Sequence, residues 1–268
     1  MEEKQTAPHR TTARILDIIE YVAECPAGAT LAEISRSLKI PKGSLHPLTS
    51  TLSNRGYLYY NTKEGRFYCG ESLFIYGNKQ INNDDILEQI RSVMLEVNQK
   101  TGETLYFGVL SGLDVLYLIK MDLHSQFRVM SNPGNKLPAY STSYGKALLA
   151  QYSRQQMKEF YPEGRLKPIT THTLATVDEL NDQLDLVRRT GFAYEEEEST
   201  IGIQCVGVAI VVEKQVLAGL SIAVPLFRYT PEREQQFKIL ITKAKEKIEQ
   251  IIAEQRIHWV FSGQGTIE

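Results

Sequence analysis

Two groups of residues in this 268-residue chain combine side-chain types and spacing suited to recognition chemistry. The first runs from Pro41 to Gly56. On a helix, Leu45, Leu48 and Leu52 share one face and leave Lys42, Ser44, His46, Thr49, Ser50 and Arg55 off the apolar stripe. Cations and hydroxyls gathered this way suit double-stranded DNA, where such groups hold phosphates and read base edges in the major groove. Arg66, on a hairpin just downstream, is expected to reach the adjoining backbone or the minor groove. The second group is Ser141-Thr142-Ser143, ahead of a helix expected to begin near Tyr144. Unpaired backbone donors and the positive end of the helix dipole draw anions to such a place, and the hydroxyls supplement them. Ordinary N-capping has the same signature, and the residues alone leave both readings open.

Other reactive types are present without the partners that chemistry requires. Cys205 invites a nucleophilic or redox role, since a thiolate can attack or be oxidised. It lies in a strand-like run, however, where a buried cysteine usually serves as a small hydrophobe. Glu195 to Glu198 has the composition of an acid–base or metal site, but such a run is expected to form a solvated edge with at most one inward member. His9, His46, His124, His172 and His258 are dispersed, and Cys25, Cys69 and Cys205 lack the paired spacing of a zinc site. A catalyst needs a nucleophile beside a base or a bound metal, and no such pair is visible. The expectation is therefore no enzyme, no cofactor and no metal.

The elements that must position these groups are legible from periodicity. Ile15, Ile18, Ile19 and Val22 mark an amphipathic helix closed by Pro26 and Gly28, and Thr30 with Glu33 forms a capping box opening a second helix over Leu31 to Leu38. The Pro41 to Gly56 segment is the third. Pro47 is awkward there, because an interior proline removes a backbone hydrogen bond at a cost of roughly 3 kcal/mol. With Ser44 as the cap, Pro47 would fall in the first turn and the helix would be short. Tyr57 to Tyr60 and Arg66 to Cys69, around a polar turn, read as a hairpin. Three helices and a hairpin predict a winged helix, the alternative being a plain helical bundle bearing a hairpin.

A linker helix is expected over Leu73 to Gln80 and another helix over Asp84 to Lys100. Strands follow at Thr104 to Leu110, Val115 to Lys120 and Phe127 to Met130. Helices are expected at Ser143 to Tyr152, Gln155 to Phe160 and Val177 to Thr190, the last capped by Thr176 and Glu179 and stopped by Gly191. Val206 to Val212 and Val216 to Val224 predict a core hairpin, and Pro231 opens a long closing helix. The chain is thus α+β in two domains, 1–80 and 81–268.

Composition agrees with that division. Net charge is −2, but residues 1–80 carry ten Lys and Arg against eight Asp and Glu, while the remainder carries twenty against twenty-four. The front domain is the better DNA face. No apolar run reaches the roughly 18 residues of a spanning helix, and Met1 to Arg10 lacks the apolar stretch of a signal peptide, so a cytoplasmic protein without a membrane partner is expected.

Taken together, Thr30 to Ile34, Ile40 to His46, Leu137-Pro138, Gly145 to Ala150, and Gly191-Phe192-Ala193 through Glu197-Glu198, Gly202 and Cys205 resemble the IclR-type regulators, the family of the isocitrate lyase regulator. The resemblance covers nearly the whole chain. It implies a winged helix-turn-helix, a GAF-like effector domain built as an antiparallel sheet flanked by helices, and a homodimer or homotetramer on a near-palindromic operator. Repression is the commoner outcome in such proteins. It further implies that a small organic acid or related carbon-source metabolite meets Ser143 and Tyr144, with Glu195, Ile203, Cys205 and Ser221 around it. The rival reading is a GAF-like enzyme or thiol redox sensor working through Cys205. The sequence departs from the family pattern at Pro47, Tyr140, Glu195 and Ala209.

Overall fold

A computed structural model of the chain describes residues 9–82, 85–122 and 133–254. The chain divides into two compact units, Met1–Asp84 and Asp85–Glu268.

In the first unit, α1 (Arg10–Ala23) buries Ile18 and Val22. β1 (Ala29–Thr30) leads into α2 (Leu31–Ser37), whose start is closed by the Thr30–Glu33 capping box. α3 spans Lys42–Asn54, and β2 (Leu58–Asn61) and β3 (Arg66–Cys69) form an antiparallel hairpin that takes β1 on its outer edge. α4 (Glu71–Asn82) follows. Ile18, Ile34, Leu45, Leu52, Leu58 and Phe67 form the shared core. This is a winged helix.

α3 differs from the expectation in two ways. Its cap is Pro41, not Ser44, so Pro47 is the sixth helical residue, and the helix still runs for 13 residues. Pro47 withholds a donor from the carbonyl of Gly43, four residues back. Gly43 is exposed and nothing lies within 4 Å of where its Cβ would be, so water can reach that carbonyl. The second difference is Thr49, which is 1% exposed and lies on the core face rather than off it. Positions 45, 49 and 52 follow the helical stripe of four- and three-residue steps, and the Thr49 hydroxyl is absorbed by the carbonyls of Leu45 and His46 at 3.2 and 3.1 Å.

The second unit is a six-stranded antiparallel sheet in the order β6-β5-β4-β9-β8-β7. Its strands are β4 (Thr104–Ser111), β5 (Asp114–Met121), β6 (Lys136–Pro138), β7 (Ala193–Glu196), β8 (Ile203–Val212) and β9 (Gln215–Pro225). One face packs against α5 (Asp85–Thr101) and α9 (Pro231–Glu254) through residues such as Ile90, Met94, Leu220, Ile222, Phe237 and Ile241. The other is covered by α6 (Ser143–Leu149), α7 (Arg154–Phe160) and α8 (Val177–Thr190). α6 is shorter than expected, ending at Leu149 rather than Tyr152. The expected strand at Phe127 to Met130 lies outside the described residues.

Candidate DNA interface and effector pocket

The exposed face of α3 carries Lys42, Ser44, His46 and Ser50, and exposed Arg55 caps its end. Burial of Leu45, Thr49 and Leu52 fixes this orientation. Arg66 is partly engaged within the unit. Its guanidinium donates to the Gly28 carbonyl at 2.8 Å and to Glu33 at 3.2 Å, tying β3 to the start of α2. Only Nη1 of Arg66 is engaged in these bonds and its side chain stays 33% exposed, whereas Thr49 faces the core. A further cation on the hairpin is Lys63, exposed in the turn beside an Asn61 side chain that accepts its backbone N–H at 3.1 Å. A lysine in the polar turn of a wing was the available sequence signal.

In the second unit, strand register brings the expected effector residues together. Three cross-strand rows lie on the α6 side of the sheet. Thr104, Ala223, Cys205 and Glu195 form one, Tyr106, Ser221, Gly207 and Ala193 the next, and Gly108, Gly219 and Ala209 the third. Small residues in the second and third rows let α6 come down onto the sheet. A Cβ on Gly207 would meet Tyr144 N at 2.6 Å and Ser143 Oγ at 2.9 Å, and one on Gly219 would meet the Tyr144 ring at 2.9 Å. The Tyr144 ring thus lies on the third row, against Tyr117 at a centroid distance of 5.6 Å. Ser143, Tyr144, Glu195, Ile203, Cys205 and Ser221 are all buried.

Thr142 caps α6, its hydroxyl accepting the Gly145 N–H at 3.1 Å. Glu195 Oε1 accepts from both the backbone N–H and the hydroxyl of Ser199 at 3.0 Å. Burial nonetheless outweighs these bonds and pushes the Glu195 carboxyl above the ordinary range. Burial, aided by the Glu195 charge opposite, likewise pushes the Cys205 thiol well up, which disfavours the thiolate that nucleophilic or redox chemistry needs.

The run Glu195 to Glu198 is not the solvated edge expected of it, because Glu195 and Glu198 are both inward, at 1% and 3% exposure. Glu198 accepts from Lys146, whose fully buried ammonium also donates to Gln183 Oε1 at 2.6 Å and to the Tyr194 carbonyl at 2.8 Å. Those bonds tie α6 to α8 and β7. Burial lowers the Lys146 pKa and raises that of Glu198, so desolvation exceeds attraction for both partners. A separate cavity of about 420 Å³ lies outside the edge of β7 between Gln183, Phe192 and Glu196, and none of the expected effector residues lines it. No group of three or more His, Cys, Asp and Glu suited to a metal occurs among the described residues. No helix among them is long and apolar enough to cross a membrane.

A winged helix with an exposed polar recognition face, followed by a sheet domain whose α6 side gathers buried polar residues, fits a DNA-binding transcription regulator with a sensory domain. Residues 11–62 match the IclR helix-turn-helix domain, and residues 78–250 match the C-terminal domain of the bacterial transcriptional regulator IclR. The chain belongs to the IclR family of transcription regulators. It is similar to the HTH-type transcriptional regulator KdgR of Dickeya chrysanthemi, at 28% identity over 92% of this chain and 81% of that one. The transcriptional repressor IclR of Escherichia coli is 25% identical over 91% of this chain and 90% of its own length. An IclR homolog from Microbacterium hydrocarbonoxydans, solved in complex with 4-hydroxybenzoate, shares the fold at a TM-score of 0.77 and 21% identity, over 90% of this chain and 98% of that one. These relatives are regulators rather than enzymes, so the catalytic or redox reading of Cys205 is not favoured.

Proposed function

We propose that the chain is a cytoplasmic repressor that binds a near-palindromic operator as a homodimer or homotetramer, with residues 1–80 for DNA and 81–268 for sensing and assembly. Its grip on the operator changes when a small organic acid occupies the pocket beside α6. The observation that carries the DNA reading is the outer face of α3, where Lys42, Ser44, His46, Ser50 and Arg55 are exposed and their side chains bond to no other described residue. Side chains left so on a recognition helix are free for phosphates and base edges. At the wing, exposed Lys63 joins Arg66 as a cation for the DNA backbone.

For the effector, the amides of Ser143 and Tyr144 head α6 before its own hydrogen-bonding ladder begins. Seven residues generate only a small dipole, so an acid group must be held by these amides and neighbouring hydroxyls together. Its other polar end would face Glu195, with Ile203, Cys205 and Ser221 lining the space between. The bound 4-hydroxybenzoate of the Microbacterium homolog is a small organic acid of the same general kind.

Footprinting on the DNA upstream of the gene tests the first half. Two protected half-sites about one helical turn apart, or a multiple of it, are expected, and His46→Ala should erase them. Unpatterned protection would exclude a symmetric operator. Ser143→Trp tests the second half, since a ligand response that survives it places the pocket elsewhere.

A further inference from the structure

The cavity of about 420 Å³ outside the edge of β7 falls in the size range of small-molecule sites, roughly 300–1,000 Å³. Its wall has two parts. Leu174, Leu186, Phe192 and Leu226 supply an apolar side, and Glu196, Glu197 and Glu198 an acidic one. Among the described residues no Lys or Arg lines it, and the one basic group in the wall, His172, stands 3.9 Å from Glu197. Lys238 lies over the Phe192 and Tyr194 rings but is paired with Glu234 at 2.6 Å. Two of the carboxylates are held within the chain. Glu197 Oε1 accepts the Gly202 N–H at 2.6 Å, and Glu198 Oε1 accepts from Lys146. Glu198 Oε2 differs, being buried with no hydrogen-bond partner among the described residues, on a residue only 3% exposed. Leaving a buried acceptor so is unfavourable, and more so for a charged group than for a neutral one. Burial accordingly raises the Glu198 pKa in spite of Lys146, so a further donor bearing positive charge stabilises the carboxylate.

We propose that this cavity is a second ligand site, separate from the pocket beside α6, and that it takes an organic ammonium ion. The charged nitrogen donates to Glu198 Oε2 with the Glu196 charge in the same wall, and an apolar body lies against Leu186, Phe192 and Leu226. Three carboxylates in the wall exclude an acid. A neutral molecule of the same shape keeps the apolar contact and brings no charge to the Glu198 oxygen. The site shares no lining residue with the expected effector pocket, so the two stand or fall separately.

Calorimetry on the full chain with phenethylamine, 2-phenylethanol and phenylacetate tests it, since the three share a ring and differ in charge. The amine should bind more tightly than the alcohol by about tenfold or more, the worth of a hydrogen bond to a charged group. An excess of phenylacetate should not displace it. Leu186→Trp, at a position 42% exposed, fills the apolar side and should abolish binding of the amine. Glu196→Gln, also at an exposed position, should weaken the amine by about threefold and leave the alcohol unchanged, the effect of one solvent-screened charge. Ser143→Trp should leave the amine unaffected. Equal binding of amine and alcohol overturns the ammonium assignment, as does displacement of the amine by phenylacetate. No binding of the amine, or binding that Leu186→Trp and Glu196→Gln both leave unmoved, overturns the site itself. Binding lost in Ser143→Trp and kept in Leu186→Trp puts the amine beside α6 and overturns it as well.

Discussion

Breaking the Lys146–Glu198 pair should cost more than forming it gains. Both groups are buried against their solvation, and each is compensated only by the other and by a few hydrogen bonds. Lys146→Met is expected to destabilise the second unit by about 3–5 kcal/mol in denaturant unfolding, with part recovered when Glu198→Gln is added. Glu195 gives a different signature. Its folded pKa is raised, so its stabilising contribution is complete below the ordinary carboxylate range and is lost as pH climbs through the raised value. Glu195→Gln keeps an acceptor for Ser199 and carries no charge. Its melting temperature relative to the parent should therefore improve as pH rises above the carboxylate range, and parallel pH profiles would contradict the buried charge. These partners were invisible in the sequence, because Lys146 and Glu198 stand 52 residues apart. Arg66 is the same case, since its bonds to Gly28 and Glu33 reach 38 and 33 residues back. Thr49 was legible, given that 45, 49 and 52 trace a helical stripe whatever the residue type.

At the scale of elements, the contact of α6 with the sheet rests on glycine. Gly207→Ala would press a methyl to 2.6 Å from the backbone of Tyr144, where no side chain can rotate away, so α6 must lift. A loss of about 1–3 kcal/mol is expected in thermal unfolding, together with loss of acid binding. Unchanged stability would mean that the helix does not lie on this row. Periodicity and capping disclosed most elements here, among them α1, α2, α8 with its Thr176 box and Gly191 stop, and the β8–β9 hairpin. The start of α3 was misjudged because Pro41 offers no capping side chain, and Ser44 beside it does. Gly108, Gly207 and Gly219 inside strand patterns were a signal of close approach that local reading passes over, since only register shows what approaches.

At the scale of the molecule, the proposed function makes the two halves serve one equilibrium, in which a ligand in the sheet domain would shift the operator affinity of the winged helix. The coupling cannot exceed the ligand's preference between the two arrangements. Binding through Lys42, Arg55 and Lys63 should depend steeply on salt, with Lys42→Ala lowering the slope of log affinity against log salt by about one. A slope unaltered by that change would remove Lys42 from the phosphate contacts. The most direct test of the account is fluorescence anisotropy with labelled upstream DNA and an unrelated duplex, at fixed salt, with and without a panel of small organic acids. The account predicts tight binding to the upstream DNA alone, changed about fivefold or more by one acid in the parent chain and not in Ser143→Trp. Equal weak binding to both duplexes, untouched by every acid, would contradict it.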